Sequence, residues 1–176
     1  MIAGMSVASF TALHVVLSLV GIVAGLVAVA GMLKSRRLPG WTAVFLAATV
    51  LTSATGYLFP RDTILPSHIV GAVSLVILAV AIAALYGSKL AGRSRAIYAA
   101  AATASLYLNV FVLVAQAFQK IPALNALAPT PAAPAFAVVQ GIVLVAFVAI
   151  GWKAVRQFHP ADAQDRRGGQ TTPSMR

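Results

Sequence analysis

Hydrophobic positions along this chain run in long blocks, with no two-residue alternation and no narrow apolar stripe. Five stretches hold no charged residue: Phe10–Leu33, Trp41–Phe59, Ser67–Gly87, Ala96–Phe118 and Pro134–Trp152, each 19 to 24 residues long. A helix of about 20 apolar residues, rising 1.5 Å per residue, crosses the ~30 Å hydrocarbon core of a bilayer. The pattern therefore predicts an all-α polytopic membrane protein, a five-transmembrane-helix bundle. A transmembrane β-barrel needs segments of ~10 residues that alternate apolar and polar, and these continuous Ala- and Leu-rich runs do not. The second stretch is the least apolar, with Thr42, Thr49, Thr52, Ser53 and Thr55. It still reads as a span, because hydroxyls bond back to helix carbonyls inside a bundle.

Composition agrees. Of 176 residues, 60% are hydrophobic and 9% charged, where a soluble domain carries about 25% charged residues. That excludes an ordinary soluble enzyme, and the sequence pI of 11.3 is no nucleic-acid footprint. Cysteine is absent, so disulfides, thiol chemistry and Cys-held metals are excluded.

The basic residues give an orientation. Two loops and the C-terminal segment, all on one side of a five-span chain, hold eleven basic residues, from Lys34 to Arg176; the other side holds Arg61 and Lys120. Basic loops stay in the cytoplasm, which predicts an N-outside/C-inside topology. A signal peptide is not expected at the start: no basic residue precedes the first apolar run, and the run is too long for an h-region. Residues 1–157 form a single transmembrane domain, followed by a disordered cytoplasmic tail over 158–176, polar and rich in Gly and charge.

Polar and small residues share faces. His14, Ser18, Gly21, Gly25 and Ala28 form one stripe, and Gly21-xxx-Gly25 invites a close helix neighbour. Thr42, Thr49, Ser53 and Gly56 share a face on the second span, as do Ser67, Gly71 and Ser74 on the third. On the fourth, Tyr98, Ala102, Ser105, Asn109 and Gln116 align. Gln140 lies ~9 Å into the fifth from its outer end. Asn and Gln are costly in lipid, so these faces should point into the bundle. With the topology above, the strongest hydrogen-bonding groups gather in the outer half. They form a polar, outward-facing half-pocket of His14, Ser53, His68, Asn109, Gln116 and Gln140, beside Arg61, Asp62 and Lys120 in the outer loops. The Phe118–Ala133 connection, with Pro122, Pro129 and Pro131, should lie on the outer surface or fold over the bundle mouth; a mere connector is the equally weighted alternative.

Several functions compete for this half-pocket. His14 and His68 at similar depth suit haem b or a transition metal, with Arg61 or Lys120 near haem propionates, or Asp62 as a further metal ligand. No C-x-x-C-H or H-E-x-x-H motif supports this. Ion-coupled transport is disfavoured, because no Asp, Glu, Lys or Arg lies inside a span; a pore between oligomers stays open. Enzyme chemistry lacks a serine–histidine–acid set, and one outer carboxylate makes no acid–base pair. Glycine and hydroxyl positions are the ordinary packing material of membrane bundles. An accessory or assembly subunit of a membrane complex therefore stands beside the ligand-binding readings. The partners are the lipid bilayer and a membrane-protein partner or a second copy; no nucleic acid is expected.

Three segments, LTSATGYLFP (Leu51–Pro60), PSHIVGAVSLVILA (Pro66–Ala79) and LYLNVFVLVAQAFQKIPALNALAPT (Leu106–Thr130), resemble a family of small uncharacterised bacterial multi-span membrane proteins. The resemblance covers most of the chain. It implies a bacterial inner (plasma) membrane location and assigns no activity and no functional residue.

Overall fold

The computed structural model describes residues 1–2, 4–59 and 66–160. Six α-helices follow one another: α1 (Val7–Leu33), α2 (Pro39–Gly56), α3 (Pro66–Ile82), α4 (Ser94–Lys120), α5 (Pro122–Leu127) and α6 (Pro134–Gln157). A π-helical turn, Ala83–Gly87, extends α3. Among the described residues, four helices are long and apolar enough to cross a membrane: α1, α3 with its π turn, α4 and α6.

The helix starts follow from local chemistry. Proline opens α2, α3, α5 and α6, where its missing N–H has no intrahelical partner to lose. Ser6 caps α1, its Oγ accepting from the Ser9 N–H at 3.1 Å. At the other end of α1, Ser35 adopts φ 53°. The Arg36 N–H reaches the Gly31 carbonyl and the Ser35 N–H the Met32 carbonyl, the bonding pattern of a Schellman cap. Glycine usually fills that left-handed position; Ser35 has a second task, described below.

α4 is the central helix, packing against α1, α3, α5 and α6. α1 and α2 form an antiparallel hairpin closed on the predicted glycine stripe. A Cβ on Gly21 would sit 3.2 Å from Thr49 Oγ1, and one on Gly25 2.7 Å from Leu106 and 2.8 Å from the Phe45 ring. Phe45 and Leu106 are fully buried, so Gly25 is where three helices meet most closely. The outside of the bundle is apolar: Val76, Ile142, Val145 and Val148 are each more than 60% exposed. That distribution suits lipid and not water.

α2 is 18 residues long, about 27 Å at 1.5 Å per residue, and is not among the four apolar helices. Its hydroxyls explain why it still belongs to the bundle. Thr42, Thr49 and Thr52 are buried against neighbouring helices, and the outward positions are Val44, Leu51 and Trp41.

The bundle has two distinct ends. The α1–α2 turn, the α3–α4 turn and the C-terminus of α6 share the basic end. The C-termini of α2 and α4 and the N-termini of α1, α3 and α6 share the opposite, histidine end. The third span keeps its expected bounds, Ser67–Gly87, and its last turn is π-helical, with Leu85 buried on the core. The packed domain continues past residue 157: Phe158 is 1% exposed and its ring lies 5.8 Å from that of Tyr98. A buried aromatic gains far more from this contact than from solvent. The remainder of the expected tail, 161–176, lies outside the described residues.

Candidate functional site

At the histidine end, α1 brings His14 against the C-terminal turn of α2. His14 Nδ1 lies 2.9 Å from Thr55 Oγ1. The Thr55 hydroxyl donates to the Leu51 carbonyl at 2.7 Å, so its oxygen accepts from His14. This assigns the proton to Nδ1 and leaves the Nε2 lone pair available. Phe59 closes the site edge-on, 5.3 Å from the imidazole and 5.1 Å from Phe10.

His68, in the first turn of α3, lies on the other flank of the same α2 terminus. Its ring stacks on Tyr57 at 5.4 Å, and the Tyr57 hydroxyl donates to the His68 carbonyl at 2.6 Å. That hydroxyl also sits 3.3 Å from where a Cβ on Gly71 would be. A larger residue at this position would push the phenol outward by a few tenths of an ångström. Both histidines are thus organised by residues 55–59. Among the described residues, no group of three or more His, Cys, Asp or Glu is assembled.

Deeper in the bundle, the polar residues bond helix to helix. Asn109 Nδ2 donates to Thr49 Oγ1 at 3.0 Å, tying α4 to α2. Ser53 donates to Ser74 at 3.4 Å, tying α2 to α3. Gln140 Nε2 donates to the Phe111 carbonyl at 3.0 Å, tying α6 to α4. Its Oε1, and the hydroxyls of Ser105 and Thr52, are buried with no hydrogen-bond partner.

Seven of the nine residues of the expected half-pocket lie among the described residues. His14, Ser53, His68, Asn109 and Gln140 each meet a residue of a neighbouring helix or its terminal turn. Gln116 is exposed, against expectation. The reason is rotational: at about 100° per residue, Gln116 lies nearly opposite Phe118. Phe118 is buried and packs edge-on against Phe136 of α6 at 5.6 Å. Lys120 is also exposed. Arg61 and Asp62 lie outside the described residues. Thr55, Tyr57 and Phe59 were not picked out from the sequence as partners. The signal was the hydroxyl- and aromatic-rich run TSATGYLF, which periodicity alone does not pair with α1.

The Phe118–Ala133 connection folds as α5, held beside α4 by Asn125 Nδ2 donating to the Phe118 carbonyl at 3.2 Å. Ile121 and Leu127 are exposed.

The basic end is built differently. Eight of the nine described basic residues are there: Lys34, Arg36, Arg37, Lys89, Arg93, Arg95, Lys153 and Arg156. Arg95 Nη1 donates to the carbonyls of Val155 and Phe158, capping α6 from α4. The His159 N–H donates to Ser35 Oγ at 2.8 Å. The strained serine of the α1 cap thereby fastens the chain beyond α6. The Arg156 guanidinium lies 4.2 Å over the exposed Trp152 ring. All three acidic residues of the chain, Asp62, Asp162 and Asp165, lie outside the described residues.

No family model, curated protein or solved structure matches this chain.

Proposed function

We propose that the chain is a five-span bacterial inner-membrane protein, N-outside and C-inside, that serves as an accessory or assembly subunit of a membrane complex. α2 counts as the fifth span because its hydroxyls are turned onto neighbouring helices. The orientation is supported by eight described basic residues at one end against Lys120 at the other. The observation that carries the accessory role is the pairing of the polar groups. Asn109–Thr49, Ser53–Ser74 and Gln140–Phe111 hold helices to one another, as scaffolding does.

The cysteine-free chain suits a labelling test. In intact cells an impermeant maleimide should label Ser6→Cys and Thr130→Cys, but not Ser88→Cys or Ser174→Cys. Labelling of Ser6→Cys and Ser174→Cys from the same side would sink the five-span count. The role itself predicts a partner that co-purifies at fixed stoichiometry in mild detergent. A lone chain across several detergents would count against it.

A second reading, a haem or metal centre using His14 and His68, is favoured by one observation. Thr55 fixes the His14 tautomer with Nε2 unprotonated, as hydrogen-bonded second partners do for ligating histidines. Haem b or a transition ion bound there would supply redox or Lewis-acid chemistry; Thr55 and Phe59 would orient the ligand ring. Purified protein should then show a Soret band or stoichiometric metal that His14→Ala and His68→Ala each abolish. A colourless, metal-free preparation ends this reading.

A further inference from the structure

Arg37 is the unusual cation of the basic end. Its Nε is buried and finds no hydrogen-bond acceptor, and no carboxylate occurs among the described residues to neutralise it. Arg95, one element away, is different: its Nη1 is taken up by the α6 carbonyls. A guanidinium N–H without an acceptor is costly to bury, so the position calls for an anion from elsewhere. The surroundings suit one. Arg37 follows the Schellman turn of α1, within electrostatic reach of the buried Tyr98 of α4. The π turn next to this end carries Tyr86, and π turns commonly mark functional positions. Trp152 with Arg156 over it marks the level of the membrane surface.

We propose that the basic end binds an anionic phospholipid, whose headgroup phosphate accepts from the half-buried Arg37 guanidinium beside the α1–α2 turn. Arginine's planar fork matches two phosphate oxygens at once. The other basic side chains raise the local concentration of anionic lipid without choosing its position. The proposal rests on the membrane-spanning reading above but not on its orientation, because lipid binding reads the same whichever end faces the cytoplasm.

The test is native mass spectrometry of the full chain in detergent, titrated with phosphatidylglycerol or phosphatidylcholine. Phosphatidylglycerol should bind at least about tenfold more tightly, and Arg37→Gln should remove most of that preference. Lys89→Gln with Arg156→Gln should change it less than about threefold, as diffuse attraction does. Should Arg37→Gln fail to fold, Arg37→Lys keeps the charge, loses the fork, and should still weaken binding by about threefold or more. Equal binding of both lipids, or an Arg37 variant that folds and binds like the parent, overturns the proposal. Displacement of the lipid by millimolar inorganic phosphate overturns the assignment to a lipid. Binding that appears only in Asp162→Asn/Asp165→Asn overturns it too, since the chain's own carboxylates would then occupy Arg37.

Discussion

The two ends of this bundle are joined by different kinds of bond. At the basic end the links run between segments far apart in the chain. Arg95 of α4 caps α6, and His159, just beyond α6, is bound to Ser35, just beyond α1. These contacts close the bundle, joining its first and last helices. At the histidine end the hydrogen bonds described above join neighbours in sequence: α1 to α2 through His14–Thr55, the end of α2 to α3 through Tyr57–His68, and α5 to α4 through Asn125; α4 and α6 meet there through the apolar Phe118–Phe136 contact. Long-range ties constrain the whole assembly, whereas nearest-neighbour ties let hairpins separate as units. The histidine end is therefore expected to open more readily than the basic end.

The largest expected effect tests the packing both ends depend on. Gly25→Leu inserts a side chain where a Cβ alone would come within 3 Å of Leu106 and Phe45. Overpacking of this kind costs about 1–3 kcal/mol and often more, so the variant should lose most of its folded fraction in a detergent–denaturant titration. A parent-like curve would show that α1 and α4 separate easily. Next, Arg95→Gln should destabilise by about 1–2 kcal/mol, because it leaves the α6 carbonyls without their charged donor. If it acts on the basic end, amide exchange should rise across 155–159 and not across 55–59.

Asn109→Ala removes the α4–α2 bond to Thr49. Interhelical hydrogen bonds in membranes average about 0.6 kcal/mol and reach about 1.7, so a loss near 1 kcal/mol is expected by thermal unfolding. In the unmodified chain, exchange at 57–59 and 121–133 should exceed that at 34–38 and 155–159 by about tenfold, as weakly tied segments open sub-globally. The reverse ranking would break the comparison outright. The smallest effect separates the two tasks of Ser35. Ser35→Gly relieves a left-handed φ costing about 1 kcal/mol but forfeits the His159 bond, worth about as much. It should be close to neutral, while Ser35→Ala, which keeps the strain and loses the bond, should destabilise by about 1 kcal/mol.

Much of the fold could be read from residues alone, for identifiable reasons. Charge-free runs of membrane length located the long helices, since an unpaired charge in hydrocarbon is too costly to misplace. The Gly21-xxx-Gly25 stripe located the closest helix approach. Gln116 was misread because helical spacing gives an angle, and only the neighbours at that depth decide which angle is inward; there Phe118 takes the buried side. Residues 158–160 read as a polar tail, although Phe158 fills a space beside Tyr98 that no local pattern announces.

The candidate site divides along the same line. His14 and His68 were visible as rare ionisable residues near span ends. Their partners Thr55, Tyr57 and Phe59 were not, because hydrogen bonds across 41 residues depend on how the hairpins dock. By itself the sequence determined that the chain is helical, apolar outside and basic at alternate loops; these follow from solvation energies acting residue by residue. Only the tertiary structure decided that the Arg37 Nε is buried without an acceptor, that Ser35 fastens the chain beyond α6, and that the two ends are tied differently. Those outcomes depend on which groups meet across the bundle, and that is settled by the packing of all the helices at once.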